Sequence, residues 1–283
     1  MTERMTRRSL AGAALLPASL ALIEPANAAT APGGESTFER IRRTGTLRIA
    51  ALPGELPYFQ KDIVSGTWKG GAISMAQDIA RVFNAKLAYV EATYGTSVLD
   101  LQSNKVDLAF ALNPTAERAL SIGFTHPMII HPFGCLAKHG FSPKTWGDID
   151  KPSVRVAFDI GSLHEICAKR FAPHAQHMGF PNRDDAILAL QSGKVDVDIL
   201  AAILGLSAVG KNPSLGPYHL LQDPLVALNS DFGIQREPDT RFRDVVNAWL
   251  DFNRGIGQIR EWLLDGLELV GVKREQVPPE VTF

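Results

Sequence analysis

Cysteine is nearly absent: Cys135 and Cys167 are the two thiols in 283 residues. With no C-x-x-C spacing, a disulfide-dense scaffold and a cysteine zinc site are excluded. An excess of one charge sign is also missing. The 29 basic and 30 acidic residues leave a formal net charge of −1. Neither a nucleic acid nor an anionic membrane surface is therefore an expected partner. No apolar run reaches the roughly 18 residues of a membrane-spanning helix. Common catalytic signatures are missing too: no G-x-S-x-G, no Walker loop, no G-x-G-x-x-G. His126, His131, His174 and His177 stand without convergent Cys, Asp or Glu spacing, so no metal or other cofactor is expected. With 45% apolar and 21% charged residues the chain reads as an ordinary globular protein.

What is present begins with a leader. Arg4, Arg7 and Arg8 face a single Glu3, the apolar run Ser9–Ile23 follows, and Ala26-Asn27-Ala28 forms an A-x-A cleavage site. Residues 1–28 therefore read as a cleaved secretory signal, too short to anchor in a membrane. Thr6-Arg7-Arg8-Ser9-Leu10 resembles a twin-arginine (Tat) address, with ordinary Sec export as the alternative. A soluble periplasmic protein is expected. That compartment allows a disulfide, but both cysteines lie in apolar stretches that favour two small buried hydrophobes.

Ten residues occur twice. Val98–Asp107 reads VLDLQSNKVD and Ile187–Asp196 reads ILALQSGKVD, seven positions identical at an offset of 89 residues. Two copies at this spacing point to two similar α/β units with a cleft between them, a favoured ligand site. The alternative is chance plus a common helix-to-strand turn. The surrounding pattern agrees with two units. Leu47–Leu52, Lys86–Ala92 and Val106–Leu112 read as strands, separated by helices at Ser74–Ala85 and Thr96–Ser103. The order restarts with a strand at Ser153–Ile160, a helix through Phe171, a helix at Arg183–Ser192 and a strand at Val195–Leu200. Amphipathic helices at Arg241–Asn253 and Gln258–Leu269 finish the chain, separated by Gly255 and Gly257. This β-α-β order predicts an α/β fold with mostly parallel sheets. Ligand sites then lie beyond the carboxyl ends of the strands.

Two places there could meet an anion. Arg118 follows the strand end and turn Leu112-Asn113-Pro114-Thr115. A guanidinium grips a carboxylate through two parallel hydrogen bonds, which lysine cannot copy. The alternative is a solvated helix arginine paired with Glu117. Gly161-Ser162-Leu163-His164-Glu165 is a strand-to-helix turn whose exposed amides favour an anion. The alternative is an ordinary cap closed by Glu165. Asp196 and Asp198 share a face of a strand, with Asp196 expected to cap the preceding turn.

Several of these segments, in order, resemble the family 3 periplasmic solute-binding proteins, receptors of polar amino acid ABC importers. They are Gly45-Thr46-Leu47-Arg48-Ile49, Pro57-Tyr58-Phe59, Lys69-Gly70, Thr115-Ala116-Glu117-Arg118 and Phe124-Thr125-His126-Pro127. Gly161-Ser162 and Gly193-Lys194-Val195-Asp196 continue the set. The resemblance implies a periplasmic-binding-protein-like architecture: two α/β lobes joined by two hinge crossovers and closing on a ligand. Lobe one would be residues 35–130 plus 235–283 and lobe two residues 135–230, with crossovers near 131–134 and 231–234. Arg118 would hold a ligand carboxylate, helped by Ala111 and Asn113, and by the Ser162 and Leu163 amides of lobe two.

The departures matter as much. The family's ammonium-holding aspartate falls at Ala201, its first-loop aspartate at Leu52, and its two sandwiching aromatics at Glu55 and Gly71. The carboxylate half of the pocket is kept and the ammonium half rebuilt. Glu55 and Asp159 are the candidate replacement anions, and a wider pocket is expected. The resemblance thus implies a monomeric, non-catalytic receptor for an amino acid or related small carboxylate, read by an ABC permease in the inner membrane. Periplasmic cyclohexadienyl dehydratases share the fold, and in that alternative Glu165 is the candidate acid. A ligand sensor without a transport role is the third reading.

Overall fold

The computed structural model describes residues 34–283; the expected leader lies outside the described residues. The chain opens with α1 (Thr37–Thr44), β1 (Thr46–Ala51) and a small hairpin, β2 (Gln60–Lys61) and β3 (Trp68–Lys69). α2 (Gly71–Val82), β4 (Lys86–Glu91), α3 (Tyr94–Gln102) and β5 (Leu108–Leu112) follow. Next come α4 (Ala116–Ser121), the long strand β6 (Gly123–Ala137) and the short α5 (Trp146–Ile149). The alternation then restarts with β7 (Arg155–Asp159), α6 (Leu163–Phe171), β8 (Gln176–Phe180), α7 (Arg183–Gln191) and β9 (Val197–Ala201). α8 (Ala202–Lys211), β10 (His219–Leu220), β11 (Ala227–Ile234), α9 (Arg241–Gly255) and α10 (Gln258–Glu268) complete it.

The main sheet runs β4-β1-β5-β11-β6-β9-β7-β8. Its two ends are parallel triplets: β1 lies between β4 and β5, and β7 between β8 and β9. Between them β11 and β6 run antiparallel to their neighbours. Each triplet therefore has its first strand in the middle and its third strand facing the centre. The duplicated decapeptide sits at one place in both: the last turns of α3 or α7, then the step into β5 or β9. Thr93 and Asn182 start those helices by accepting the N3 amide on a side-chain oxygen.

β6 changes partner in mid-course. Up to Pro132 it pairs with β11, and from Phe133 with β9. The returning chain changes between Leu220, opposite Gly134, and Ala227, opposite Pro132. Pro127 and Pro132 hid this strand from the sequence reading. Pro127 faces Asp231, where the ladder register already shifts, and Pro132 is the last residue before the exchange. β8 and α8 were also missed. α8 begins directly after β9 with no side-chain cap, so no start signal marks it. In α2 the buried stripe is Ala72, Ile73, Met75, Ala76, Ile79 and Ala80, with Val82 turned outward.

The largest apolar cluster packs α2, α9 and α10 around β1, β5 and β11, with Ile49, Phe110, Phe232, Val246 and Leu263 at its centre. A second gathers Phe133, Trp146, Val156, Phe158 and Ile199. Cys135 and Cys167 belong to that second cluster; both are free and buried, as the apolar reading expected.

Candidate functional site

All six parallel strands end at one cleft. β1 leads to Glu55, β4 to Tyr94, β5 to Asn113 and Arg118, β7 to Ser162 and His164, β8 to Arg183, and β9 to Ala201. This is the placement that parallel α/β topology dictates. An inner cavity is lined by Arg118, Asn113, Ala111, Ser162, Leu163 and Ala201 among others. An outer cavity of about 440 Å³ adjoins it across Tyr94, which lines both, and its walls include Glu55, Asp159 and Arg183.

Arg118 is half-buried and touches both halves of the chain. Its Nη1 donates to the Asn113 carbonyl (2.9 Å) and its Nη2 to the Gly161 carbonyl (2.7 Å). Among the described residues no carboxylate lies within ion-pair distance of it, so the Glu117 pairing does not form. Burial lowers its pKa. Two of its N–H groups are spent on carbonyls, which leaves the rest of the guanidinium fork for an anion. Gly161 makes the contact possible. Its φ of +75° suits glycine, and a β-carbon there would stand 3.3 Å from the Cα of Gly95 across the cleft. Ala111, beside Arg118, also has a positive φ of 57°, a strained conformation for a residue with a side chain.

Ser162 is committed to its helix. Its Oγ accepts from the His164 and Glu165 amides and donates to the Asp159 carbonyl. Leu163 is the first residue of α6 and faces the inner cavity. Glu165 does not face it. Its carboxylate accepts from the Gly161 amide (2.8 Å) and from Lys169 (2.6 Å). Burial pushes this carboxyl up, but those bonds outweigh it and hold the group below its ordinary value.

Glu55 and Asp159 come together, and between them stands a residue the sequence reading missed. Arg183, at the start of α7, donates to Asp159 and lies 3.8 Å from Glu55. All three are buried. Tyr94 donates to Glu55 at 3.2 Å. Burial drives the Glu55 carboxyl up to about 7, against the pull of Arg183. Burial also pushes on Asp159, but Arg183 and His164 beside it hold its carboxyl below the ordinary value. Behind them Asp198 is fully buried, with no hydrogen-bond partner among the described residues, and burial raises it well above the carboxylate range. The replacement anions thus carry an internal countercharge. Arg183 had no motif to announce it: an arginine after an N-cap asparagine reads as a solvated helix start.

His131 and Tyr58 were not predicted either. Both are buried and line the inner cavity beside Arg118. Tyr94 and Phe133 line it with them, and the inner cavity measures about 10 Å³, about one water centre. The wider pocket expected from the sequence is not seen around Arg118; the larger space, about 440 Å³, is the outer cavity. Gly71, where the resemblance implies an aromatic, is closely packed: a β-carbon there would meet the Trp262 carbonyl oxygen at 2.8 Å.

The chain as a whole is similar to known proteins. The family model of bacterial extracellular solute-binding proteins, family 3, matches residues 47–262. A cyclohexadienyl dehydratase of Pseudomonas aeruginosa is 24% identical over 245 residues, covering 83% of this chain and 87% of that protein. Among solved structures, an ancestral amino acid-binding protein described as a precursor of cyclohexadienyl dehydratase superposes with a TM-score of 0.72 at 26% identity, covering 81% of this chain and all of that one. An L-arginine-bound ABC transporter substrate-binding protein of Streptococcus pneumoniae gives a TM-score of 0.76 at 21% identity, covering 83% of this chain and all of that one. The solute receptor for L-cysteine of Neisseria gonorrhoeae gives 0.75 at 19%, covering 87% and 98%.

Proposed function

From the membership of this chain in the bacterial extracellular solute-binding proteins of family 3, we propose that it captures a small carboxylate in its cleft and presents it to an ABC permease of the inner membrane. The observation that carries the reading is Arg118: a half-buried guanidinium at a strand end, bonded to both sides of the cleft, with no acid beside it among the described residues. Binding would select the arrangement in which the two sides meet, and the permease would read that arrangement. The amino acid-binding relatives support the ligand class. The leader read over residues 1–28 and the absence of a membrane-spanning helix among the described residues fit an exported, periplasmic protein.

Thermal-shift screening tests it. A ligand selective for the folded state raises the melting temperature, by about 2.7 kcal/mol of stability at a hundredfold excess over Kd. Small carboxylates should include at least one that does so in wild type and not in Arg118→Ala. A stabilising ligand that ignores this substitution would place the site elsewhere.

The dehydratase relative motivates a second reading, an enzyme on the same fold. Such an enzyme needs a proton donor in the cleft, and Glu165 is a poor one: ionised, bonded to Lys169 and outside the inner cavity. Prephenate and arogenate are the compounds to offer. We expect no turnover; turnover lost in Glu165→Gln would establish the enzyme instead.

A further inference from the structure

The inner cavity presents the Arg118 guanidinium and no carboxylate. No Asp or Glu lines it, and the position from which the family's ammonium ligand would project is Ala201, 1% exposed. Two buried polar atoms on its walls have no partner among the described residues: the Tyr58 hydroxyl and Nδ1 of His131. The hydrogen bonds around His131 assign its tautomer. Ser230 Oγ accepts from the Asn113 amide nitrogen (3.1 Å), and its own proton has one acceptor, His131 Nε2 at 3.1 Å. A neutral imidazole that accepts at Nε2 carries its proton on Nδ1. Burial keeps the ring neutral, pushing its pKa down to about 3. The unpartnered Nδ1 is then a donor, beside the Tyr58 hydroxyl and the Arg118 guanidinium.

The acids lie one layer out. Glu55 and Asp159 line the outer cavity, where Arg183 and Tyr94 already meet them. Asp159 keeps one oxygen without a partner, but its charge is matched by Arg183. An ammonium group only donates. In the inner cavity it would stand beside the Arg118 guanidinium and the His131 N–H, with at most neutral oxygens such as the Tyr58 hydroxyl to accept from it, and would lose its hydration without an anion in return, the costly case for a buried charge.

Resting on the carboxylate reading of Arg118, we propose that the ligand's carbon next to the carboxylate bears a neutral oxygen, as in 2-oxo or 2-hydroxy acids, in place of an ammonium. The inner cavity as it stands holds about one water centre, so the two sides must part to admit the ligand; its carboxylate then meets Arg118, and the keto or hydroxyl oxygen accepts from His131 and Tyr58.

Matched trios test this in the full mature chain by thermal shift and titration calorimetry. Suitable trios are alanine, lactate and pyruvate; glutamate, 2-hydroxyglutarate and 2-oxoglutarate; phenylalanine, phenyllactate and phenylpyruvate. The expected result is binding of an oxo or hydroxy acid, with its amino acid partner weaker by about tenfold or more. An amino acid that binds as tightly as its oxo and hydroxy partners overturns the proposal, as does a screen in which no oxo or hydroxy acid binds. The Arg118→Ala variant separates the two readings. An amino acid that binds as tightly as its oxo and hydroxy partners and is lost in that variant overturns the neutral substituent and leaves the carboxylate site standing. Binding of any trio member that survives in it overturns both.

Discussion

Asp196 holds Arg155 three times over: it accepts from the Arg155 backbone amide (2.8 Å), from Nε (2.9 Å) and from Nη2 (2.8 Å). Asp107 holds Arg48 in the same way, through the backbone amide at 2.7 Å and the guanidinium at 2.6 Å. In return each arginine carbonyl accepts from the aspartate's amide at 2.8 Å. Both aspartates end the duplicated decapeptide, and both arginines lie on the first strand of their triplet. The repeat is therefore a clamp that ties the third strand to the first, twice in one chain.

The clamp should carry stability and not recognition. Asp107→Ala removes a fully buried carboxylate from the partly buried Arg48 and Arg40, a loss of about 1–3 kcal/mol; Asp196→Ala, whose partners Arg155 and Lys138 are more exposed, should lose less. Urea denaturation would measure it. Ligand affinity of the folded fraction should stay at the wild-type value.

Arg118→Lys is the sharper companion of the alanine variant. Lysine keeps the charge but not the bidentate fork. Affinity for the stabilising carboxylate should fall by about tenfold or more, since one charge-assisted bond contributes about 1.5–3 kcal/mol. Calorimetry on both variants checks the order: wild type, then lysine, then alanine.

Glu55 should give the fold a pH slope. Its carboxyl titrates ordinarily near 4.5 but near about 7 when buried here, facing Arg183, Asp159, Tyr94 and Lys211. Between those values the unfolded chain releases a proton that the folded chain keeps. Stability on this account is full below pH 4.5, declines as pH rises toward about 7, and is level beyond. Glu55→Gln should flatten the decline, gaining about 3 kcal/mol on the wild type between pH 4 and pH 8. Equal slopes in both proteins across that range would refute it.

Gly161→Ala tests the close approach across the cleft. The new side chain would sit at φ +75° and 3.3 Å from Gly95. A left-handed conformation costs roughly 1–2 kcal/mol for a residue with a β-carbon. Both melting temperature and ligand affinity should fall, because the same carbonyl anchors Arg118.

Much of the architecture was legible in the chain, for physical reasons. Buried parallel strands are unbroken apolar runs, so β1, β5, β7 and β9 stood out, and their flanking helices carried caps and periodicity. The repeat exposed the internal duplication, and Arg118 was found because a strand end followed by a turn and an arginine has one natural place in such a fold. β6 was hidden by two prolines whose cost vanishes only where its ladder is interrupted or changes partner. Arg183, His131 and Tyr58 belong to no local pattern. They matter because residues far apart in the chain, such as Glu55 with Asp159 and His131 with Ser230, meet at the cleft.

The sequence alone determined two α/β halves, the order of their elements along the chain, and an arginine after a strand end with no aspartate at position 201. Those properties follow from local periodicity, capping and a repeated decapeptide, each written within a few residues. Only the tertiary structure decided the electrostatics of the site. It placed Arg183 between Glu55 and Asp159 and left neutral donors beside Arg118. Charge and hydrogen-bond balance are sums over neighbours in space, and no stretch of chain contains that sum.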